Sequence, residues 1–394
     1  MIRTYIIHMW VEREIEAALK RAIRSRPVVI VTGARQSGKT SLLRHAFAEY
    51  NYVSLDLPSE AEFAEKDPDG FLAKYSAPLI IDEIQYAPKI FRHLKTRVDQ
   101  QRTLSGQFLL TGSQKFTLMK EVSDSLAGRA EIVELEPLSF FEIQEALPET
   151  VLLDFILRGG YPELYEQREI GAHQFYRSYV STYLERDVRA LLQVTALRDF
   201  ERFLRVCALR SGQLLNKAEL ARDVGISPST ANEWLSVLAA SNQVILLEPW
   251  FRNRTKSIVK SPKLYLSDSG LLCYLLNIQT TDELLRSPYI GSIWETTVFA
   301  ELRRRQLAKT LGWTMFFWRD RSREVDFLNS RGGRFDLFEA KWTEIPDKSD
   351  AANLFYLRHE LGEKNIEATA IYCRTRKDFP IAENLWARSI SSLA

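Results

Sequence analysis

Cysteine is scarce. The 394 residues contain three, Cys207, Cys273 and Cys373, and none has a second Cys or a His at metal-ligand spacing. That pattern excludes a disulfide framework and a thiolate zinc site, and it fits a reducing compartment. Long apolar runs are missing too: no stretch approaches the roughly 20 residues that span a bilayer. The first residues, MIRTYIIHMWVEREIEAALK, have neither a long apolar core nor a small-residue cleavage site. A secretory leader is therefore not expected, and a cytoplasmic location is. A strong charge bias is also absent, since 53 Lys and Arg stand against 51 Asp and Glu, a net of +2. The sum neither demands nor excludes a polyanionic partner, so the distribution of charge has to decide.

What is present is a globular composition, 45% hydrophobic and 26% charged, on a chain long enough for two to four domains. Trp10, Ile15, Leu19, Ala22 and Ile23 recur at helical spacing and predict an amphipathic helix over Trp10–Arg24. Short apolar runs then alternate with segments of helical length: VVIVTG, Tyr52–Leu57, Leu79–Ile84, Phe108–Thr111 and Ile132–Leu135. This alternation predicts an open, mostly parallel α/β sheet. Helices dominate from about Pro137 to Leu209. The last hundred residues read as helix, three strands, helix, strand.

The first apolar run leads into Gly33, Ala34, Arg35, Gln36, Ser37, Gly38, Lys39 and Thr40, which match G-x-x-x-x-G-K-[ST]. Glycines there let backbone N–H groups turn onto phosphate oxygens. Lys39 reaches the β- and γ-phosphates, and the Thr40 hydroxyl is a Mg²⁺ ligand. The helix starting at Ser41 points its positive end at the anion. LIIDEIQ is an apolar strand ending in two carboxylates, which places Asp82 beside the Mg²⁺ and Glu83 where it can activate water. FLLTGSQ offers Ser113 or Gln114 to the γ-phosphate or the water. Arg129, or Arg35 within the loop, is a candidate to stabilise charge on the transferring phosphoryl group.

Asn216 and Ser227-Pro228 are helix starts, the first with Glu219 placed to reach back, and Gly225 lies between them as a breaker. The spacing predicts a helix-turn-helix. Its second helix, PSTANEWLSVLAA, has one charge, Glu233, and no Arg or Lys to read bases. Further on, the stretch Phe251–Lys263 carries Arg252, Arg254, Lys256, Lys260 and Lys263 with no acid. It reads either as a wing that contacts phosphates or as part of a module that packs against protein.

REVDFLNSRGGRFDLFEAKW reads as a hairpin that brings Asp326 beside Glu339, with Lys341 two residues on along the same face. Paired acids can hold a divalent metal, and a neighbouring lysine can position water for attack on a phosphodiester. Glu295, on a helix over about Ile290–Leu307, offers a further carboxylate. The competing reading is a ladder of Glu and Lys on an edge strand.

GARQSGKTSLL, LIIDEIQ, LTGSQ, LAGRAEIVELEPLSFFE, RGGYPELY, YLERDV, NKAELARDVGIS, KLYLSDSGLL and EVDF with EAK stand in that order. In this the chain resembles the bacterial and archaeal AAA-like P-loop ATPases that carry a C-terminal winged helix and a restriction-endonuclease-like domain. Glu295, Asp326, Glu339 and Lys341 are similar to that domain's PD-(D/E)xK pattern, although Trp342 stands where a second carbonyl or carboxylate is usual. The resemblance implies a P-loop core over 1–136, a helical lid over 137–210, a winged helix over 211–264 and a nuclease-like α/β domain over 265–394. It implies a Mg²⁺-dependent ATP-hydrolysing switch acting on nucleic acid, with Glu83, Lys39 and Arg129 serving ATP hydrolysis. Glu295, Asp326 and Glu339 would then hold a second metal. The alternative is an ATPase whose nuclease-like domain is a scaffold for DNA or protein. Expected partners are ATP, nucleic acid through residues 211–264 and the C-terminal domain, and a second copy of the chain if Arg129 acts across a subunit boundary. No membrane partner is expected.

Overall fold

The computed structural model describes residues 10–112, 125–183, 197–252, 261–309 and 312–393. Ser113 and Gln114 lie outside the described residues, as do Arg254, Lys256 and Lys260 of the basic stretch.

The five residues of β1 (Val28–Thr32) are β-branched and fully buried, as befits the middle of a parallel sheet. β2 (Asn51–Ser54), β3 (Leu79–Asp82), β4 (Phe108–Gly112) and β5 (Ala130–Glu134) complete it, in the order β2-β3-β4-β1-β5 and with every pair parallel. Alternate residues face opposite layers. Val28, Ile30, Ile81 and Leu110 pack with the helices Pro68–Lys74 and Ile90–Gln100. Val29, Val31, Ile80 and Leu109 pack with Glu16–Ser25 and Lys39–Ala46 on the other side. The insertion of β4 between β1 and β3 brings three strand ends, at Thr32, Asp82 and Gly112, to one edge.

Helices follow, among them Phe140–Ala146, started by a Ser139/Glu142 capping box. The expected helix pair forms as Lys217–Val224 and Pro228–Ala240, with Gly225 in a left-handed C-cap and Ser227 accepting from Thr230 N–H. Asn216 caps as expected, but the Glu219 carboxylate does not reach back. It lies 3.8 Å from Arg210, drawn to the nearer cation. The pair sits on a small sheet of β6 (Gln213–Leu214), β7 (Val244–Leu247) and β8 (Lys263–Leu266), ordered β6-β8-β7.

The C-terminal sheet has β9 (Thr314–Arg319), β10 (Glu324–Arg331), β11 (Arg334–Ala340), β12 (Ile366–Tyr372), β13 (Phe379–Ala382) and β14 (Leu385–Arg388). Their order is β13-β14-β12-β11-β10-β9. The last two strands are additions to the sequence reading, because four-residue strands with a proline and few β-branched residues carry little signal. Ala352–Leu361 covers one face through Leu354 and Leu357. Ile290–Lys309, hereafter the long helix, covers the other through Val298, Phe299 and Leu302. The molecule is thus a mixed α/β chain with a P-loop-type parallel core and a separate C-terminal sheet.

Candidate functional site

Gly33 ends β1 with φ of 149°, where a Cβ would stand 2.1 Å from the carbonyl oxygen of Leu135. Only glycine lets the loop leave the sheet beside the strand-β5 exit. Lys39 is buried, and its Nζ donates to the loop's own carbonyls, Gly33 at 3.1 Å and Ala34 at 2.8 Å. The ammonium is therefore held across the mouth of the loop, where a phosphate would replace those carbonyls. The buried Ser37 Oγ has no partner among the described residues.

Thr40 lies in the first turn of the helix Lys39–Ala46, and its Oγ1 is 2.9 Å from both carboxylate oxygens of Asp82. Asp82 also accepts from the Thr111 hydroxyl at the end of β4 and, at 3.1 Å, from Tyr52 at the middle of β2. Burial, reinforced by the Asp82 charge, pushes the Tyr52 phenol up to about 12, so it is a permanent donor. Three strands and the loop helix thus meet on one carboxylate. Its hard oxygen donors suit Mg²⁺, which prefers one or two carboxylates and a hydroxyl alongside phosphate and water.

Glu83 adopts a left-handed backbone, φ 55°, which costs a non-glycine residue about 1–2 kcal/mol. Its N–H donates to Thr111 Oγ1 at 3.0 Å, and its carboxylate accepts from the Gln85 amide. That conformation turns Glu83 into the same cleft as Arg35, Gln36, Lys39, Thr40 and Ser41, a cavity of about 500 Å³. Pro162 and Glu163 of the RGGYPELY segment, with Glu166 just after it, line its outer wall, and Gln36 Nε2 is 3.5 Å from Glu163. A smaller apolar pocket of about 240 Å³ adjoins it, lined by Trp10, Val11, Leu42, Leu138 and Pro162. The Trp10 ring, which the sequence places at the start of a helix, instead precedes the helix and stacks 3.9 Å from His45. A third cleft of about 530 Å³, between β5, β7, β9 and the long helix, is larger but holds none of this chemistry.

Arg129 does not join the site. The carbonyl of Arg129 accepts from Val28 N–H, at the start of β1. The whole five-residue strand, about 16 Å, separates it from Gly33. Its guanidinium makes a two-pronged pair with Asp99 at 2.7 and 2.9 Å. The glycine and arginine before β5 belong to the wrong end of the strand, a fact that sequence order conceals. Conversely, Thr111, Tyr52 and Arg13 belong to the site without any motif to announce them. Arg13 is buried and donates to Ser37 O inside the loop at 3.2 Å, to Glu136 O at 2.7 Å and to Glu142 at 3.2 Å.

The second cluster forms around β10 and β11. Asp326 and Glu339 face each other one step beyond the paired Phe327 and Phe338. Asp326 accepts from Ala340 N–H at 3.0 Å, and Glu339 pairs with Lys341 at 3.0 Å. Burial, and then the Asp326 charge, raise the Glu339 carboxyl well above its ordinary range. Burial opposes ionisation of Asp326, but Lys263 and the Glu339 hydrogen bond hold it below its usual value. Burial and then Asp326 push Glu295 up to about 7.

The expected metal set of Glu295, Asp326 and Glu339 does not assemble. Among the described residues no group of three His, Cys, Asp or Glu side chains is arranged to hold a metal. The reason is Lys263, which sequence placed in a surface wing. Its Nζ lies 2.6 Å from Glu324, 2.9 Å from Glu295 and 3.5 Å from Asp326, with 2% of the side chain exposed. The residues present therefore do not fit a metal of the nuclease kind.

Comparison with known proteins divides the chain into three matched segments. Residues 25–144 match an AAA domain, 149–282 a domain of unknown function (DUF8612) and 290–393 a second domain of unknown function (DUF4143). An uncharacterized protein of Mycobacterium tuberculosis is 32% identical over 378 residues, covering 95% of this chain and 82% of the relative. A Mycobacterium bovis protein matches to the same extent. An uncharacterized protein of Methanocaldococcus jannaschii is 25% identical, over 76% of this chain and 71% of its own. Among solved structures, a Walker-type ATPase of Pyrococcus abyssi is similar with a TM-score of 0.46 and 16% identity, covering 68% of this chain and 96% of its own. The Holliday junction branch migration motor of Thermotoga maritima reaches a TM-score of 0.31 at 17% identity, over 59% and 88%. At 32% identity across nearly its full length, the chain belongs to the family of the two mycobacterial proteins, and its residues 25–144 are similar to an AAA domain.

Proposed function

We propose that the protein is a Mg²⁺-dependent ATPase that works as a conformational switch. The observation that carries this reading is the Thr40–Asp82–Thr111 constellation beside Lys39, with Glu83 turned into the same cleft. Lys39 exchanges the Gly33 and Ala34 carbonyls for phosphate oxygens, and the loop N–H groups complete the cradle. Thr40 and Asp82 would hold Mg²⁺, which when bound neutralises charge on the phosphate oxygens. Glu83 orients the attacking water and accepts its proton, after Gln85 releases the carboxylate. Trp10, Val11 and Leu138 offer a flat apolar seat for the base. A Lys39→Ala variant tests this. Binding of a fluorescent ATP analogue should fall at least about 100-fold, and unchanged binding would refute the assignment.

The switch has a physical route. Leu135 touches the phosphate loop, and its neighbours Glu134 and Glu136 pair with Arg303 of the long helix at 2.5 and 3.0 Å. The same helix carries Glu295 to the C-terminal cluster. A change in the loop therefore bears on the helix that carries one wall of that cluster.

For the C-terminal domain we propose a non-cleaving scaffold, because the carboxylates there are already paired with lysines. Nucleic acid is the partner class we propose for residues 211–264, held through its backbone without base reading. The support is the run of Arg254, Lys256 and Lys260 after a helix pair whose second member has no cation. The affinity should fall steeply between 50 and 200 mM salt (about tenfold or more), and a flat response or no binding would remove nucleic acid from the account.

A further inference from the structure

Lys263 is the first residue of β8 and ends a basic stretch, so local charge assigns it to solvent. The fold sends it inward. The carboxylates it meets come from two other elements, Glu295 from the long helix and Glu324 and Asp326 from β10. An ammonium has three protons to donate, and here three carboxylates receive them. Most of the remaining acceptors are also engaged, the buried Glu339 Oε1 being the one left without a partner among the described residues. Glu295 takes the Tyr265 hydroxyl at 2.6 Å, Glu324 the Arg319 guanidinium at 3.0 Å, Asp326 the Ala340 N–H at 3.0 Å and Glu339 the Lys341 ammonium at 3.0 Å. Burial would strip a lone lysine of its proton, but Tyr265 and the carboxylates hold the charge in place.

We propose that Lys263 is the resident cation of this cluster: its ammonium holds the place among Glu295, Glu324 and Asp326 that a divalent metal would take, and excludes one. A metal entering beside a buried ammonium would meet a like charge in a medium that screens poorly, and Glu295, Glu324 and Asp326 are already committed to that ammonium. Removing the ammonium while keeping the acids leaves Glu295 and Asp326 without the cation that faces them both. That is the condition under which a divalent cation binds. The inference is independent of ATP hydrolysis, and nucleotide-free protein keeps the P-loop site out of the measurement.

The test uses the full chain without nucleotide and Mn²⁺ as the probe, with free Mn²⁺ counted by electron paramagnetic resonance and melting followed with and without the ion. Wild type and Asp326→Asn should take up the same amount of Mn²⁺ and melt independently of it. Lys263→Met should melt lower, gain one Mn²⁺ site per chain and recover part of its melting temperature when Mn²⁺ is added. Lys263→Met/Asp326→Asn should lose both the site and the recovery. A wild-type Mn²⁺ site that Asp326→Asn abolishes would overturn the proposal, as would a folded Lys263→Met that takes up no more Mn²⁺ than wild type. If Lys263→Met does not fold without metal, the comparison of wild type with Asp326→Asn decides alone: equal uptake upholds the proposal, and a site lost in Asp326→Asn overturns it.

Discussion

Arg13 Nη1 lies 3.2 Å from the carbonyl oxygen of Ser37, so a residue well before the phosphate loop holds the loop's backbone from behind. The same guanidinium reaches Glu136 O and the Glu142 carboxylate, joining the entry chain, the loop and the strand-β5 exit. Arg13→Met removes these bonds and leaves buried Glu142 without its cation, at a cost of about 3 kcal/mol. The variant should unfold at lower denaturant concentration and bind ATP more weakly than wild type. Arg13→Lys restores the charge without the three-way fork and should fall between the two. Melting and ATP affinity equal to wild type in Arg13→Met would contradict the role.

Arg129→Ala should leave ATP turnover unchanged. The side chain pairs with Asp99 at the end of the sheet remote from the loop. A loss of turnover, with the variant folded, would place Arg129 in catalysis across a subunit boundary.

Gly160→Ala should be severely destabilising. A Cβ there would stand 2.2 Å from Leu138 O, while Gly160 itself accepts from Leu138 N–H at 2.7 Å and donates to Asp268 at 2.8 Å. Backbone cannot retreat from that contact without breaking both bonds, so a loss of about 3 kcal/mol or more is expected in urea unfolding. Gly171→Ala, with nothing within 4 Å, is the matched control and should be tolerated. Equal stability of the two variants would show that Gly160 does not tie Leu138 to Asp268 in this way.

Burial, and then repulsion from Glu367, push the Asp336 carboxyl up to about 6. The folded state therefore holds this proton more firmly than the unfolded chain. Stability from this group is complete below the ordinary value of 3.8 and is lost as pH rises through about 6. Asp336→Asn should accordingly be more stable than wild type at pH 8, with the difference closing toward pH 4. Denaturant unfolding at pH 4, 6 and 8 measures it, and a difference that does not change with pH would rule out the shift.

Much of the core was legible because its signals are local. The phosphate loop is contiguous, β1 and β3–β5 are short apolar runs, and the caps at Asn216 and Ser227 precede their helices directly. What escaped depends on contacts between distant segments. Thr111 and Tyr52 are ordinary strand residues until the order β2-β3-β4-β1-β5 sets them around Asp82. Arg129 was a candidate from its place just before a strand, but that strand, β5, runs parallel to β1 and Arg129 enters it at the end far from the loop. Lys263 was read from its basic neighbours as solvent-facing, although the strand it starts runs into the carboxylates of two other elements. Local charge pattern is blind to the direction of a side chain that begins a strand.

The most direct test of the account is Mg²⁺-dependent ATP turnover in wild type and Glu83→Gln, with ATP binding measured on the same samples. The account predicts turnover by wild type, ATP binding retained in Glu83→Gln, and a fall in its turnover of about 100-fold or more. Hydrolysis by Glu83→Gln at the wild-type rate, or wild-type protein that neither binds nor hydrolyses ATP, would contradict it.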